Sequence, residues 1–318
     1  MLARVIRSGL IEAEHRGALA VVTASGEIKL ASGDVRRPFF FRSAAKPFQA
    51  TVAQEAGAGL SPEQMAVACG SHFANPVQVA IVCQMLDEAG MSAADLRCPP
   101  AWPLSEQARN RLVAAGATSP DVRWHNCSGK HAAMLRACRA RGWPTASYLE
   151  ESHPLQRRIT EFLQRLTGEQ AGPVGTDGCG LPVHRVSVLG LAAAYARLGS
   201  EPSMRQAWSA MSRFPPLTSD TDSVPARLAT WTDAAAKSGA EGCLGLAQRG
   251  GVGVAVKVWD GSSRSIAAAA LAAMEAVGLV SPFIRHHLAD LLRPTILGGE
   301  RAVGVVEVVL EEGQQSLS

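Results

Sequence analysis

Phe39-Phe-Phe-Arg-Ser-Ala-Ala-Lys-Pro-Phe-Gln49 holds the spacing on which the reading of this chain turns: Ser43 stands three residues ahead of Lys46. A serine hydroxyl is a poor nucleophile until a neighbouring base takes its proton. Residues three apart face the same way on a helical turn, which puts Lys46 within reach of that role. Pro47 works against helical geometry at Lys46 and removes an amide donor, so the turn is expected to be tight or irregular. A catalytic pair here means acyl-transfer chemistry. The alternative is an N-cap serine beside a surface lysine.

Upstream of this stretch the pattern is extended. Gly17-Ala-Leu-Ala-Val-Val-Thr23 and Glu27-Ile-Lys-Leu30 flank Ala24-Ser25-Gly26, which predicts a hairpin. Downstream, residues 43 to about 240 are mostly helical in pattern, with starts at Ser61-Pro62, Ser105-Glu106 and His153-Pro154. After Gly250-Gly251 the chain turns extended again in Val252-Gly-Val-Ala-Val-Lys-Val-Trp259, with a turn at Asp260-Gly261. A helix follows over Ser265–Gly278 and a last valine-rich strand over Ala302–Leu310, with only the final few residues frayed. Strands at both ends with helices between them predict an α+β fold. We expect one catalytic domain over 1–318: a mostly antiparallel sheet layer from about 1–42 and 250–318, a helical lobe over about 43–249, and a cleft between them.

Composition narrows the function. The 318 residues are 47% hydrophobic and 19% charged, as in an ordinary folded protein. A net charge of +3 without a Lys/Arg run, and only 5% aromatic residues, argue against nucleic acid and against an anionic membrane surface. The longest apolar stretch, Ile266 to Val280, carries Glu275 and falls short of the ~20 residues that a membrane helix needs. The N-terminus has charges at Arg4, Arg7, Glu12 and Glu14 and no apolar export segment, so the expected compartment is the cytoplasm. Seven cysteines in such a chain read as thiols or metal ligands, not as a disulfide framework.

Further side chains join the candidate site. Lys257 lies in a strand pattern and either points to solvent or enters a cleft. Next to Lys46 its charge would favour a neutral amine on one of the two, and a lysine must be neutral to act as a base. Ser71 stands between them in sequence, so the order Ser-x-x-Lys, serine, strand lysine parallels the layout of β-lactamase-type enzymes. The local motifs differ, being Ser71-His-Phe73 and Lys257-Val-Trp259 here. Trp124-His-Asn-Cys-Ser-Gly-Lys-His131 and Gly175-Thr-Asp-Gly-Cys-Gly-Leu-Pro182 are dense in reactive groups set among glycines. Cys127 and Cys179 are candidate soft ligands with His125 or His131 adding nitrogen, or else buried filler; no CxxC or HxxxH spacing decides between these. Cys69, Cys83, Cys98, Cys138 and Cys243 read as structural thiols. Asp177 either holds a substrate ammonium or caps a turn, and Arg42 is suited to a substrate carboxylate.

Together these segments resemble the L-asparaginase II family of the Rhizobium type. The blocks that carry the resemblance are Arg42-Ser-Ala-Ala-Lys-Pro-Phe-Gln-Ala50, His125-Asn-Cys-Ser-Gly-Lys-His131, Gly175-Thr-Asp-Gly-Cys-Gly180, Gly239-Ala-Glu-Gly242 and Val254-Ala-Val-Lys257. The resemblance implies a fold similar to serine β-lactamases and glutaminases, a homodimer, and hydrolysis of L-asparagine to L-aspartate and ammonia. It implies two Ser-Lys tandems, Ser43 with Lys46 and Ser71 with Lys257, and substrate contacts from Arg42, His131, Asp177 and Gly178. It also implies zinc on Cys127, Lys130 and Cys179 in a non-hydrolytic role, and no organic cofactor. The chain departs from the pattern after Ser71. Relatives follow Ser-His with a small or polar residue and Gly-Glu-Pro, whereas Phe73-Ala-Asn-Pro76 stands here.

Three rival readings stay open at this point. The same machinery fits another amide, glutamine or a β-lactam. A non-catalytic zinc or amino-acid binding protein would keep the pocket without turnover. A redox-sensing thiol protein would depend on Cys127 and Cys179 and not on Ser43.

Overall fold

The computed structural model describes residues 1–170 and 174–310. The expected frayed end after Leu310 therefore lies outside the described residues. The first strands are β1 (Ala3–Arg7), β2 (Leu10–His15), β3 (Gly17–Thr23), β4 (Ile28–Ser32) and the short β5 (Phe39–Phe40). The Ser43 stretch follows as a 3-10 turn over Arg42–Ala45 that runs directly into α1 (Lys46–Glu55). Then come α2 (Pro62–Cys69), α3 (Pro76–Asp87), α4 (Glu106–Ala114), α5 (Ser128–Arg141) and α6 (Pro154–Thr167). The short strands β6 (Gly175–Thr176), β7 (Pro182–Val183) and β8 (Arg185–Val186) precede α7 (Val188–Leu198), α8 (Arg205–Arg213), α9 (Pro215–Thr218) and α10 (Val224–Thr232). β9 (Ala234–Gly239), β10 (Cys243–Gln248) and β11 (Val252–Val258) lead to α11 (Ile266–Ala276), and β12 (Thr295–Gly298) and β13 (Arg301–Val308) close the chain.

Five antiparallel strands in the order β4-β3-β11-β10-β9 make the central sheet. Its two faces differ because strand side chains alternate. Ala18, Ala20, Val22 and Ala255 point into the core shared with the helical lobe, while Leu19, Val21, Val254 and Val256 pack under α11. Small residues on the first face let α7 approach closely; a Cβ on Gly253 would run into the backbone of Ala192. A separate four-stranded sheet, β12-β13-β1-β2, joins the chain ends, with Ala3 opposite Val308.

The α+β architecture is the expected one, and the helix starts at Ser61, Ser105 and His153 each cap a helix through their side chains. Two boundaries differ. The strands form two larger sheets and the two-stranded pairs β5-β8 and β6-β7, and β6 to β10 lie inside the span read as helical lobe. Ala234-Ala-Ala-Lys-Ser-Gly239 has no β-branched residue to announce a strand. Burial between a helix layer and β10 decides its conformation, since strand propensity is largely a matter of fit to a pleated surface. The difference matters because β9 is the sheet edge that faces the Ser43 turn.

Candidate active site

Arg42 enters the turn at φ +48, a left-handed conformation that non-glycine residues rarely adopt. Its guanidinium Nε donates to Asp177 Oδ1 at 2.6 Å, and the Gly178 amide donates to the same oxygen at 2.8 Å. From the other side Tyr195 donates its hydroxyl to the Ala44 carbonyl at 2.8 Å. Lys46 is helical (φ −58, ψ −40) with its amide on the Ser43 carbonyl, despite the proline that follows. Pro47 costs little there, because amides of the first helical turn have no intrahelical acceptor. The tight turn expected from the sequence is thus a 3-10 turn that leaves Ser43 partly accessible.

Lys46 itself is fully buried. Its Nζ reaches the Gly70 carbonyl at 2.7 Å, Ser71 Oγ at 2.8 Å and the Asn126 carbonyl at 3.0 Å. All three partners are neutral, so no carboxylate compensates an ammonium in this position. Burial is the main force holding the Lys46 pKa below that of an ordinary lysine, and Lys130 adds to it against the pull of Cys127 and Cys179. Ser71 is placed by its amide, which donates to the Thr218 carbonyl at 2.7 Å. Gly70 permits that approach, since a Cβ there would lie 2.5 Å from the Thr218 carbonyl oxygen. The neighbouring His72 is locked by both ring nitrogens. Ser128 Oγ donates to the Arg123 carbonyl and so accepts from His72 Nε2, while Nδ1 accepts the Ala74 amide.

The segment that departs from the expected pattern has a structural role. Asn75 caps α3 in a reciprocal pair with Gln78, and Ala74 takes a left-handed φ of +57 just before it. An asparagine at this N-cap does the work of a polar anchor without a carboxylate.

Lys257 does not sit beside Lys46. Its Nζ donates to the carbonyls of Glu241 and Val258, the latter at 2.7 Å, and lies 5.8 Å from the ring centres of Phe39 and Trp259. It ties down the turn between β9 and β10. The reason is register: Lys257 faces Cys243 and Ala18 near the far end of β11. The strand lysine that feels the charge of Lys46 is Lys237, in the middle of β9. It is 2% exposed, and burial followed by repulsion from Lys46 holds its pKa well below the ordinary lysine value. Two residues on, Gly239 backs onto the Ser43 turn, where a Cβ would lie 2.7 Å from the Phe41 carbonyl. Sequence reasoning passed over Lys237. The available signal was Lys237-Ser-Gly239 itself, a lysine in an apolar run followed by a small residue and glycine, as in the third motif of the β-lactamase layout.

Cys127 sits at the N-cap of α5, which carries Lys130 and His131 inward on its first turn. Cys179 arrives on the tight turn from Asp177 to Leu181. A hydrogen bond from the Cys179 thiol, with Lys46 and Lys130 nearby, outweighs burial and holds the Cys127 thiol well below its usual pKa. Cys179 is pushed the other way by the same bond and by burial. Burial alone would lower Lys130, yet the two sulfurs raise it. The structure therefore brings Cys127, Cys179 and Lys130 together, with Lys46 alongside. Among the described residues no group of three or more His, Cys, Asp and Glu side chains is arranged to hold a metal. Any metal here needs the lysine as a ligand. The donor set, two sulfurs and one nitrogen in a buried site, fits zinc by type. His131 lies next in sequence but turns Nδ1 to the Tyr148 hydroxyl at 2.7 Å and leaves Nε2 buried without a partner. His125 is occupied by the Cys127 amide at 3.0 Å.

Over residues 3–308 the chain matches the family model described as L-asparaginase II. No curated protein matches it significantly. Among solved structures it is similar to Mglu in its native form, at 18% identity and a TM-score of 0.49, over 83% of this chain and 62% of Mglu. The chain thus spans less than two thirds of the Mglu length. It is similar to the probable glutaminase YbaS at 16% identity and a TM-score of 0.42, covering 77% of this chain and 78% of that one. For a β-lactamase from Mycobacterium bovis the values are 17% and 0.41, covering 86% and 94%. No helix among the described residues is long and apolar enough to cross a membrane.

Proposed function

The chain belongs to the L-asparaginase II family, a family of amidohydrolases, and from that premise we propose that it hydrolyses L-asparagine to L-aspartate and ammonia through Ser43. The observation that carries this reading is Lys46, a buried lysine hydrogen-bonded to two carbonyls and a serine with no carboxylate among those partners, one helical turn from a partly accessible serine. Such a lysine is cheaper to keep as a free amine than as an ammonium, which makes it a base. Ser43 attacks the side-chain amide carbon and its proton passes to Lys46. Ser71, on the same nitrogen, returns a proton to the departing ammonia. Lys237, itself depressed by burial and by Lys46, is the second lysine of the group, and Lys257 acts at one remove by fixing the β9–β10 turn. Backbone amides stabilise the oxyanion, which is expected to be the largest electrostatic contribution in acyl transfer. Water then releases aspartate by the reverse path.

Arg42 and Asp177 form one ion pair, and a zwitterionic amino acid offers that pair its own complement: α-carboxylate to the guanidinium edge, α-ammonium to the remaining carboxylate oxygen. His131 and Gly178 complete the proposed substrate contacts. Cys127, Cys179 and Lys130 would hold zinc, and a bound ion would supply a fixed positive charge that orients the substrate. The same reading includes a homodimer in the cytoplasm, checked by light scattering and by localisation of a tagged chain. Ammonia release measured side by side on asparagine and glutamine tests the substrate. Turnover of glutamine alone would replace asparagine in this reading, and acylation by penicillin would move it toward β-lactams.

A further inference from the structure

A pocket of about 410 Å³ opens next to Arg42, built by the β5–β8 ribbon, the end of β11 and the β9–β10 turn. Ser43, Lys46 and Ser71 do not line it, whereas Arg42, which precedes Ser43 in the chain, does. Its lining holds four cations, Arg37, Arg42, Arg185 and Lys257, against the carboxylates of Glu241 and Asp260. Arg42 is bonded to Asp177 and Asp260 accepts from His15 Nδ1 at 2.7 Å. Arg37, Arg185 and Lys257 therefore face two carboxylates, Glu241 and the half-exposed Asp260.

The three are also held for use. Arg37 lies 4.4 Å above the Trp259 ring and Arg185 5.9 Å from the Phe40 ring, its cross-strand partner in the β5–β8 pair. A guanidinium stacked on an aromatic face keeps its N–H edge free, in the geometry that takes a carboxylate with two hydrogen bonds. Lys257 has two of its three donors on carbonyls and one left over. The volume lies within the range of small-ligand pockets and exceeds what a bare ion fills.

We propose that this pocket binds a small organic dicarboxylate, one carboxylate on Arg37 and Arg185 and the other toward Lys257. The site is separate from the serine–lysine centre and holds whichever amide Ser43 acts upon. Arg42 in its lining makes it a place from which an anion adjusts the ion pair with Asp177. Isothermal titration of the full chain with succinate tests this. Saturable binding is expected, with succinamide, the neutral diamide, giving none. Arg37→Ala/Arg185→Ala should weaken succinate at least ~10-fold, and Arg37→Lys/Arg185→Lys should recover part of the loss. Ser43→Ala should leave the affinity unchanged. Absence of saturable binding to the parent chain overturns the proposal. So does binding that survives the double alanine variant with unchanged affinity, which would place succinate elsewhere.

Discussion

Lys46 Nζ lies 2.8 Å from Ser71 Oγ, so the lysine beside the proposed nucleophile has its hydrogen bond with a serine from another segment. The two serines should then fail differently. Ser43→Ala is expected to lose at least ~10²-fold in kcat with the fold intact. Ser71→Ala should lose ~10²–10⁴-fold, the range of general acid–base catalysis, because proton return is impaired and not the attack itself. Mass spectrometry of reacted protein separates them: a covalent acyl adduct forms slowly in Ser71→Ala and never in Ser43→Ala. Near-normal turnover in Ser43→Ala would remove it as nucleophile.

Lys237 should make the protein more stable as pH rises. Its folded pKa is depressed by burial and then by Lys46. Between that value and the unfolded value of ~10.4 the unfolded chain binds the extra proton, so stability increases with pH across this window. Lys237→Met removes the contribution. The variant is expected to have the higher melting temperature at neutral pH, with the gain shrinking toward about pH 10, and to lose activity. Parallel melting curves for the two proteins would refute the assignment.

Gly70→Ala should cost ~1–3 kcal/mol of stability, since overpacking strains a filled interior. The added Cβ would meet the Thr218 carbonyl oxygen at 2.5 Å and its Cα at 2.8 Å, both backbone atoms that cannot rotate away. Because Ser71 hangs on that same carbonyl, kcat should fall along with stability. Chemical denaturation and steady-state kinetics measure the two effects. A variant as stable and active as the parent would show that the close approach is not needed.

Zinc content is open to direct measurement. Elemental analysis should find one zinc per chain, and Cys127→Ser and Cys179→Ser should each weaken it by more than ~100-fold, beyond what loss of an outer hydrogen bond costs. Lys130→Met should do the same, as the site lacks a third Cys or His. Full zinc retention in Lys130→Met would exclude the lysine as a ligand.

Lys257→Met separates clamp from catalyst. Loss of its bonds to Glu241 and Val258 should loosen the β9–β10 turn and lower the melting temperature. Its kcat should fall less than that of Lys237→Met under the same assay. The reverse order would return Lys257 to the catalytic group.

Much of the fold was legible in the chain. Capped helix starts at Ser61, Ser105 and His153, the hairpin at Ala24–Gly26 and the alternation in β11 are local patterns, and local patterns announce themselves. β9 was not, because alanine and glycine become a strand here only through burial between layers. The candidate site divided in the same way. Ser43, Lys46, Ser71, Cys127, Lys130 and Cys179 stand in blocks that spacing and resemblance pick out, and their segments do converge. Which lysine meets Lys46 was not in any spacing. A strand of seven residues offers several positions, and the register against β10 places Lys257 at the turn and Lys237 at the centre.

By itself, then, the sequence determined the α+β class and the side chains at hand for the proposed serine–lysine chemistry. Only the tertiary structure decided their partners: Ser71 on Lys46, Lys237 in place of Lys257, Arg42 on Asp177, and a cationic pocket next to Arg42. Chemistry is a property of side chains, which the sequence lists. Proximity is a property of strand register and helix packing, set by contacts between residues far apart in the chain.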